Sequence, residues 1–409
     1  MKNATVNRTS KWWHRRHFGI LLAAAAFLLV ASQVSARPWE AGAEDSPTVQ
    51  APPDSVPAGD GAIVVTSITP VSGTTGNITF KPGMRVQVRY NYDNTDNNND
   101  FYIARTRIKG GGDAFGIASY YTEVKIDNVG RFNSRPNAQV ENAWINFPIT
   151  PEFAIRAGLY DMVFSRNALT SDSKLLLMDR SLIKDALTVL GLADNTVGVL
   201  AHGRPMAGHL TYGFGIFDNL GFETAGGGGT LTRKADGAMT TGRLAYDFLD
   251  PAPLGGYGDY LGTYIGSGQR LSLGANAAYL SKVQIGDGEY NLYAWGADLF
   301  FNKGPATIGA EYARYNEDTK NDASPSIKGE GWYAQAGYLV TKTIELAAQY
   351  QEFDPLATSD IDKLKWTSVG FNYYLRGHNF KIQADYTFKN EQGTKVDNDL
   401  FKVQLQLDY

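Results

Sequence analysis

From residue 83 onward, apolar and polar side chains alternate along many short segments of the chain. In the last nine residues, FKVQLQLDY (401–409), every apolar or aromatic side chain stands at an odd-numbered position and every polar side chain at an even-numbered position. We call each such set of alternate positions a parity. Because successive side chains of a strand point to opposite faces, such a segment has one apolar face and one polar face. A sandwich in water and a barrel in a membrane both use strands of this kind.

About sixteen segments carry this alternation, and an even number of strands is what single-chain bacterial barrels require. Several apolar faces end in Tyr, Phe or Trp, as an aromatic girdle at a membrane interface requires. Each strand with its connection has roughly twenty residues, which leaves room for a tilted span of ~10 residues. The segments lie at approximately 83–92, 101–109, 114–126, 139–148, 152–160, 197–203, 207–217, 239–249, 269–280, 290–301, 305–316, 330–341, 343–352, 365–375, 378–389 and 399–409.

The connections between these segments alternate in length. Residues 302–305 and 376–378 form tight connections, whereas residues 93–100 and 353–362 form longer, polar ones. Short turns at one end and long loops at the other are typical of outer-membrane barrels. The pattern therefore predicts an all-β fold, a transmembrane antiparallel β-barrel of about sixteen strands.

One connection, residues 161–196, is longer than the others and does not alternate. Between residues 173 and 190 its apolar side chains follow helical spacing, which predicts a short helix. Because long structured loops are usually functional, we expect this third long loop to fold into the lumen and narrow it. The alternative is a surface loop whose helix packs on the rim of the barrel.

The first 80 residues differ from the rest of the chain. Five Lys or Arg side chains precede an apolar run of fourteen residues, 18–31, and small residues at 34–36 follow at cleavage spacing. This arrangement predicts a secretory signal peptide at 1–36, because the apolar run is short for the alternative, a membrane anchor. Residues 37–80, rich in Pro, Ala, Asp and Ser, predict a flexible periplasmic linker. Residues 81–409 then form the barrel domain.

Composition narrows the classes of function. The predicted signal peptide has five cations and no acid, so its removal lowers the formal charge of the chain from −4 to −9. This negative charge argues against nucleic-acid binding. The chain has no cysteine, so thiolate chemistry and zinc–thiolate sites are excluded. Aromatic residues make up 12% of the chain and glycines number 44, a profile that outer-membrane barrels share with soluble all-β proteins.

One stretch of the chain carries a family resemblance. Residues 158–165, GLYDMVFS, are followed by Thr-Ser at 170–171 and Asp-Arg-Ser at 179–181. This order resembles the phosphate-selective porin O and P family, whose motif reads approximately Gly-x-Phe/Tyr-x-x-Pro-Phe-Ser, then Thr-Ser, then Glu-Arg-Ser. In this chain Val163 replaces the usual Pro, and Asp179 replaces the usual Glu.

The resemblance covers about residues 81–409 and implies a specific assembly. It implies a sixteen-stranded outer-membrane channel, usually a homotrimer, whose third loop lines the constriction. The better-known members of the family prefer phosphate or polyphosphate.

If the apolar parity faces lipid, the opposite parity faces the pore and carries many cations. Fixed guanidinium groups in a narrow aqueous passage raise the local anion concentration and bind phosphate with a planar fork. The alternative is that each arginine pairs with an acid and stiffens the wall, and Arg180 fits an anchor or a pore contact equally well. The candidate pore-lining and anion-contacting residues are Arg85, Arg89, Arg105, Arg107, Lys125, Arg156, Arg166, Lys174, Arg180 and Lys184.

Two other classes of function compete with a channel. A barrel enzyme would need a nucleophile beside a base, and the sequence contains no nucleophile elbow and no metal or phosphate-cradling motif. A structural or adhesin barrel without conductance is the other alternative. We expect no enzyme activity and no cofactor, but an outer-membrane channel for passive diffusion of small hydrophilic or anionic solutes. The expected partners are outer-membrane lipids, further copies of the chain in a homotrimer, and the barrel-assembly machinery at the C-terminal strand.

Overall fold

The structure covers the predicted barrel with short gaps. The computed structural model describes residues 63–65, 78–94, 98–132, 134, 136–218, 223–226, 229–235, 237–252, 259–285, 288–319, 327–355, 363–391 and 398–409. The predicted signal peptide and most of the predicted linker lie outside these residues. No helix among the described residues is both long and apolar enough to cross a membrane.

Nineteen strands are described, and sixteen of them form the wall of a barrel. Three short strands extend the sheet beyond the wall: β1 (Ile63–Val65), β9 (Glu223–Gly226) and β10 (Gly229–Ala235). The wall strands are β2 (Ile78–Asp93), β3 (Asn98–Ala114), β4 (Ala118–Val129), β5 (Asn137–Thr150), β6 (Phe153–Asp161), β7 (Asn195–Gly203), β8 (Leu210–Phe217), β11 (Met239–Asp247), β12 (Gln269–Ile285), β13 (Gly288–Lys303), β14 (Ala306–Thr319), β15 (Ile327–Leu339), β16 (Ile344–Asp354), β17 (Leu364–Arg376), β18 (Phe380–Glu391) and β19 (Leu400–Asp408).

Each wall strand pairs with the next wall strand along the chain, and the sheet closes on itself. Strand β8 pairs directly with β11, with Gly213 opposite Arg243. Strand β19 pairs antiparallel with β2, with Leu405 opposite Val88. Closure leaves no free edge, so the backbone groups of every wall strand have partners within the membrane. The predicted antiparallel barrel of sixteen strands is confirmed.

The two faces of the wall have opposite chemistry. On β13 the side chains of Tyr293 and Trp295 are exposed on the outside, whereas Asp298 is buried inside. On β19, Lys402 is buried and bonded to the third loop, whereas Leu407 is exposed. The apolar parity of the sequence therefore faces outward and the polar parity faces the lumen.

Several connections at one rim are short, whereas one connection at the same rim is long. We call the rim that carries Tyr409 the C-terminal rim. There, two to four residues join β13 to β14, β15 to β16 and β17 to β18. The exception is the connection from β11 to β12, residues 248–268, which starts at the same rim and is much longer. Its residues Tyr260, Thr263 and Tyr264 are buried inside the barrel, a feature that the alternation of the sequence does not reveal.

The third long connection, residues 162–194, contains less helix than its spacing predicts. Helix α1 (Arg166–Leu169), a 3-10 turn (Asp172–Lys174) and helix α2 (Leu182–Val189) are separated by extended residues. The helix predicted over 173–190 is therefore limited to its second half. Arg180, whose spacing of four from Lys184 would place both on one face of the predicted helix, precedes the observed helix. Ser181 accepts a hydrogen bond from the backbone N–H of Lys184 and so caps α2 at its first turn.

Apolar side chains of this third loop pack against one side of the barrel interior. Phe164, Leu187 and Leu192 are buried in a cluster with inward-facing wall residues that include Phe217 and Leu292. Burial of large apolar side chains contributes about 1.5–3 kcal/mol each, so this cluster fixes the position of the loop. These wall positions are apolar because they face protein and not water.

Candidate functional site

The third loop (residues 162–194) contacts inward-facing side chains on several sides of the barrel. The backbone N–H of Asn167 donates to Glu311 Oε2 on β14 at 2.9 Å. The backbone N–H of Met178 donates to Asp385 Oδ2 on β18 at 3.1 Å. The loop therefore crosses the interior and occupies part of its cross-section. Further hydrogen bonds join Leu182 to Gln351, Leu176 to Asn372 and Ser173 to Gln406.

Glycines on the inner wall make room for the loop. A Cβ atom on Gly337 would lie 2.9 Å from Leu176 Cδ1, and one on Gly370 would lie 3.0 Å from Leu177 Cδ2. A glycine in a strand often marks a place where another part of the protein approaches closely. The alternation does not mark these positions, because the period of 2 places both glycines on the inward parity without indicating what they face.

Four of the predicted pore-lining arginines lie side by side on β2 and β3, and each is paired with a carboxylate. Arg85 pairs with Asp408 at 2.9 Å, Arg89 with Asp179 at 3.0 Å, Arg105 with Asp172 at 3.1 Å and Arg107 with Glu123 at 3.2 Å. At these four positions the structure matches the alternative prediction, in which each arginine pairs with an acid and stiffens the wall. Asp172 and Asp179 belong to the third loop, so two of the pairs also hold the loop against the wall.

Asp172 is the centre of this cluster. Its carboxylate lies 3.1 Å from Arg105, 3.0 Å from Arg180 and 3.8 Å from Arg107. Burial alone would raise the pKa of Asp172, but the charges of Arg105 and Arg180 hold this pKa well below its ordinary value. A carboxylate shared among three guanidinium groups, each with five N–H donors, leaves positive charge and donors in excess around it.

The Asp-Arg-Ser motif at 179–181 anchors the loop. Asp179 bonds to Arg89 and to Lys402, and Arg180 donates to the backbone oxygen of Ala168 at 3.1 Å. Burial alone would raise the pKa of Asp179, but the charges of Lys402 and Arg89 lower it below its ordinary value. Arg180 is thus a loop anchor that also lies beside the central carboxylate.

Lys125, Arg156 and Lys184 extend the charged surface. Lys125 pairs with Glu141, and the guanidinium of Arg156 lies 4.2 Å from the centre of the Trp144 ring. Burial, followed by the charge of Arg180, lowers the pKa of Lys184 on α2. We call the inward side chains of β2–β6, together with the loop residues that meet them, the charged face. Its predicted cations are Arg85, Arg89, Arg105, Arg107, Lys125, Arg156, Arg180 and Lys184.

Arg166 and Lys174 lie away from the charged face. The guanidinium of Arg166 is stacked between the rings of Tyr260, at 4.4 Å, and Phe300, at 4.2 Å. Lys174 Nζ lies 3.9 Å from Asp259 Oδ1. Tyr260 and Asp259 belong to the connection from β11 to β12, so these two cations link the third loop to that connection.

The sequence named the cations and left open that acids pair with them, but it did not assign the acid that positions each one. Asp408 shares the inward parity of the C-terminal strand with Lys402, so the alternation contained a usable signal. No such signal marked Asp172, because it lies in a loop without a regular period. Among the described residues, no group of three or more His, Cys, Asp or Glu side chains is arranged to hold a metal ion.

The family follows from a match over most of the chain. The family model described as phosphate-selective porin O and P matches residues 77–409. The chain belongs to this porin family. The resemblance in the loop motif is confirmed, and so is the expected location in the bacterial outer membrane. The family and the closed barrel are those of an outer-membrane channel.

One relative found by sequence and two solved structures are similar to this chain. An uncharacterized protein of Aquifex aeolicus (strain VF5) is 30% identical over 288 residues, which are 66% of this chain and 67% of the relative. Salmonella typhi OmpF, in complex with daunomycin, has a TM-score of 0.57 and 13% identity, covering 83% of this chain and 99% of OmpF. An anion-selective porin from Comamonas acidovorans has a TM-score of 0.52 and 13% identity, and the match covers 81% of this chain and 100% of that porin. At these identities, the two structures show a shared fold.

Proposed function

We propose that this porin is a channel for passive diffusion of small hydrophilic solutes, with a modest preference for anions. The observation that carries the proposal is the sharing of carboxylates on the charged face. Asp172 holds both Arg105 and Arg180, and Asp408 likewise holds two cations. Positive charge is therefore in excess around these two carboxylates, although Arg107 also meets Glu123 and Asp127 and the whole chain is acidic. Fixed charge beside a narrow passage controls ion concentration more strongly than loops beyond a Debye length of about 8 Å.

Phosphate and polyphosphate are the solutes whose chemistry suits this surface. A guanidinium group presents a planar fork of donors to phosphate oxygens. Arg105 is the most exposed of the four arginines on β2 and β3 and would offer such a fork to a passing anion, whereas Arg107 uses its donors on Glu123 and Asp127. This arrangement supports phosphate over chloride, which cannot accept two parallel hydrogen bonds in that geometry.

Reversal potentials across a salt gradient, measured on single channels in chloride and in phosphate, test the proposal. We expect anion preference in the wild type and a reduced preference when Arg105, Arg107 and Arg156 are all replaced by Gln. Arg376→Gln, at the exposed C-terminal rim, is the matched control and should leave the potential unchanged. Cation preference in the wild type would contradict the proposal, and absence of any conductance would favour a structural barrel.

The third loop is proposed to form the constriction. Its contacts with β14 on one side and β18 on the other support this role, because they leave only part of the lumen open. Deletion of residues 173–184 should raise the single-channel conductance of the assembled barrel. Unchanged conductance in a correctly assembled deletion variant would contradict a constricting role.

We also propose that the porin assembles as a homotrimer and reaches the membrane through its C-terminal strand. One structural neighbour, OmpT of Vibrio cholerae, is described in a trimer form, with a TM-score of 0.50. The outward apolar residues of this chain supply a surface for lipid or for another copy, and Tyr409, directly after β19, adds an exposed aromatic side chain. Chemical cross-linking of the detergent-extracted porin tests the trimer, and only monomer bands would contradict it.

A further inference from the structure

A second segment enters the barrel from the C-terminal rim. Within residues 259–268, the last part of the connection from β11 to β12, Tyr260, Thr263 and Tyr264 have side chains buried as deeply as the core. Tyr260 is 2% exposed and Thr263 is fully buried. A connection that lay on the rim would leave these side chains in contact with solvent. We call residues 259–268 the rim segment.

The rim segment is bonded to the inner faces of several wall strands. Thr263 Oγ1 donates to Glu345 Oε1 on β16 at 2.9 Å, and the Thr263 carbonyl accepts from His378 Nε2 at 2.9 Å. Tyr264 packs edge-on against Phe300 of β13, with ring centres 5.6 Å apart. These partners belong to the side of the barrel that lies opposite the charged face.

The rim segment also meets the third loop, backbone to backbone. The N–H of Gly262 donates to the carbonyl of Lys174 at 2.9 Å, and Thr170 and Tyr260 form a parallel bridge. A Cβ on Gly262 would lie 2.7 Å from the backbone nitrogen of Leu176, so only glycine permits this approach. The ring of Tyr260 covers one face of the Arg166 guanidinium, whose other face lies on Phe300.

The two segments therefore meet inside the barrel from opposite rims. The third loop reaches the inner faces of β14 to β19 and, through Asp179 and Asp172, those of β2 and β3. The rim segment fills the space between that loop and β11, β13 and β16. Hydrogen bonds, a stacked guanidinium and buried aromatic rings join the two. None of these contacts involves the inner faces of β4 to β6, which carry part of the charged face.

We propose that the rim segment and the third loop form a fixed partition that closes the side of the lumen lined by β11 to β17. Solutes are thereby confined to the charged face. This inference rests on the proposed channel function but concerns the shape of the passage and not its ion preference. It assigns to Gly262, Tyr260 and Thr263 the role of positioning the loop from the rim opposite to its attachment.

Thiol labelling tests which side of the interior is open to water. The chain has no cysteine, so single cysteines can be introduced without background. Thr307→Cys lies behind the partition, because the Thr307 hydroxyl is 3.3 Å from that of Thr263, whereas Lys125→Cys lies on the charged face. A water-soluble, uncharged thiol reagent should label position 307 roughly tenfold or more slowly than position 125, because a buried site reacts only through local opening. Equal rates would overturn the partition.

A second variant shows whether the rim segment is responsible for the slow labelling at position 307. Gly262→Ala, added to Thr307→Cys, should speed labelling at position 307 several-fold, because the new methyl group forces the segment away from Leu176. Gly242→Ala is the matched control, since its Cβ would meet no atom closer than 3.7 Å. Retention of the folded barrel is checked by heat-modifiable migration on gels. Unchanged labelling in the folded Gly262→Ala variant would assign the closure to the third loop alone and overturn the role of the rim segment.

A disulfide lock tests whether the partition is fixed. Residues paired in a β-bridge lie within the Cα separation that a disulfide spans, so Thr170→Cys combined with Tyr260→Cys should cross-link on oxidation. Oxidised and reduced forms of this one variant should have the same conductance. A several-fold fall on oxidation would show that the segments part during conduction and would overturn a fixed partition. A wild type that conducts without anion preference would contradict the proposed selectivity while leaving the labelling contrast intact.

Discussion

Removal of the charge of Asp172 is the sharpest test of the charged face. The carboxylate lies within 4 Å of three guanidinium groups, from Arg105, Arg107 and Arg180. Asp172→Asn keeps the size of the side chain and its ability to accept one hydrogen bond, but it deletes one negative charge. The local excess of positive charge rises by one, and the anion preference should rise with it.

The expected size of the change follows from the distance between this carboxylate and a passing ion. For an ion roughly 7 Å away in water, one unit charge contributes about 0.6 kcal/mol, and salt at 0.1 M reduces this by about half. Because anions are enriched and cations depleted by the same factor, the permeability ratio changes about threefold with screening and about sevenfold without it. Walls of low dielectric would strengthen the effect further.

The assay is the reversal potential of single channels across a gradient of KCl at low ionic strength. Glu152→Gln, in an exposed turn at the C-terminal rim, removes the same charge far from the charged face and is the control. Heat-modifiable migration shows whether the Asp172→Asn barrel is folded. A permeability ratio that stays within the error of the control, or that moves toward cations, would refute the reasoning that the charged face controls selectivity.

Three further predictions concern assembly and pH. Val369→Arg places a cation on the outer face of β17 and should block assembly, because it costs about 2–4 kcal/mol near the bilayer midplane, whereas Val369→Ala should assemble. Gly158→Ala should lower thermal stability in a melting experiment where Gly242→Ala does not, because Gly158 has a φ of +135° and its Cβ would lie 2.2 Å from the Ala143 carbonyl. The folded pKa of Asp172 is below that of a free aspartate, so its stabilisation of the loop is complete above pH ~4 and is lost as pH falls further. Protease cleavage of the loop, measured from pH 7 to pH 3, checks this, and loss of protection above pH 5 would contradict it.

The wall of this porin could be predicted from the amino-acid pattern alone. A bilayer on one side and a polar interior on the other impose a period of 2 that each strand carries locally. Therefore the number of strands, the outward direction of residues such as Trp295, and the inward direction of Arg85 and Arg107 were all predictable. The motif at 158–181 gave the family, since its order and spacing are not dictated by the alternation of a barrel.

The tertiary structure alone decided what the inward side chains meet. Parity shows that Arg89 points into the lumen, but its partner Asp179 comes from a loop 90 residues away along the chain. The start of α2 depends on a cap at Ser181, which apolar spacing does not record. The inward course of residues 259–268 depends on contacts with three wall strands and with the third loop. These contacts join residues that are distant in sequence and have no shared period, so the local pattern contains the direction of each side chain and not the identity of its partner.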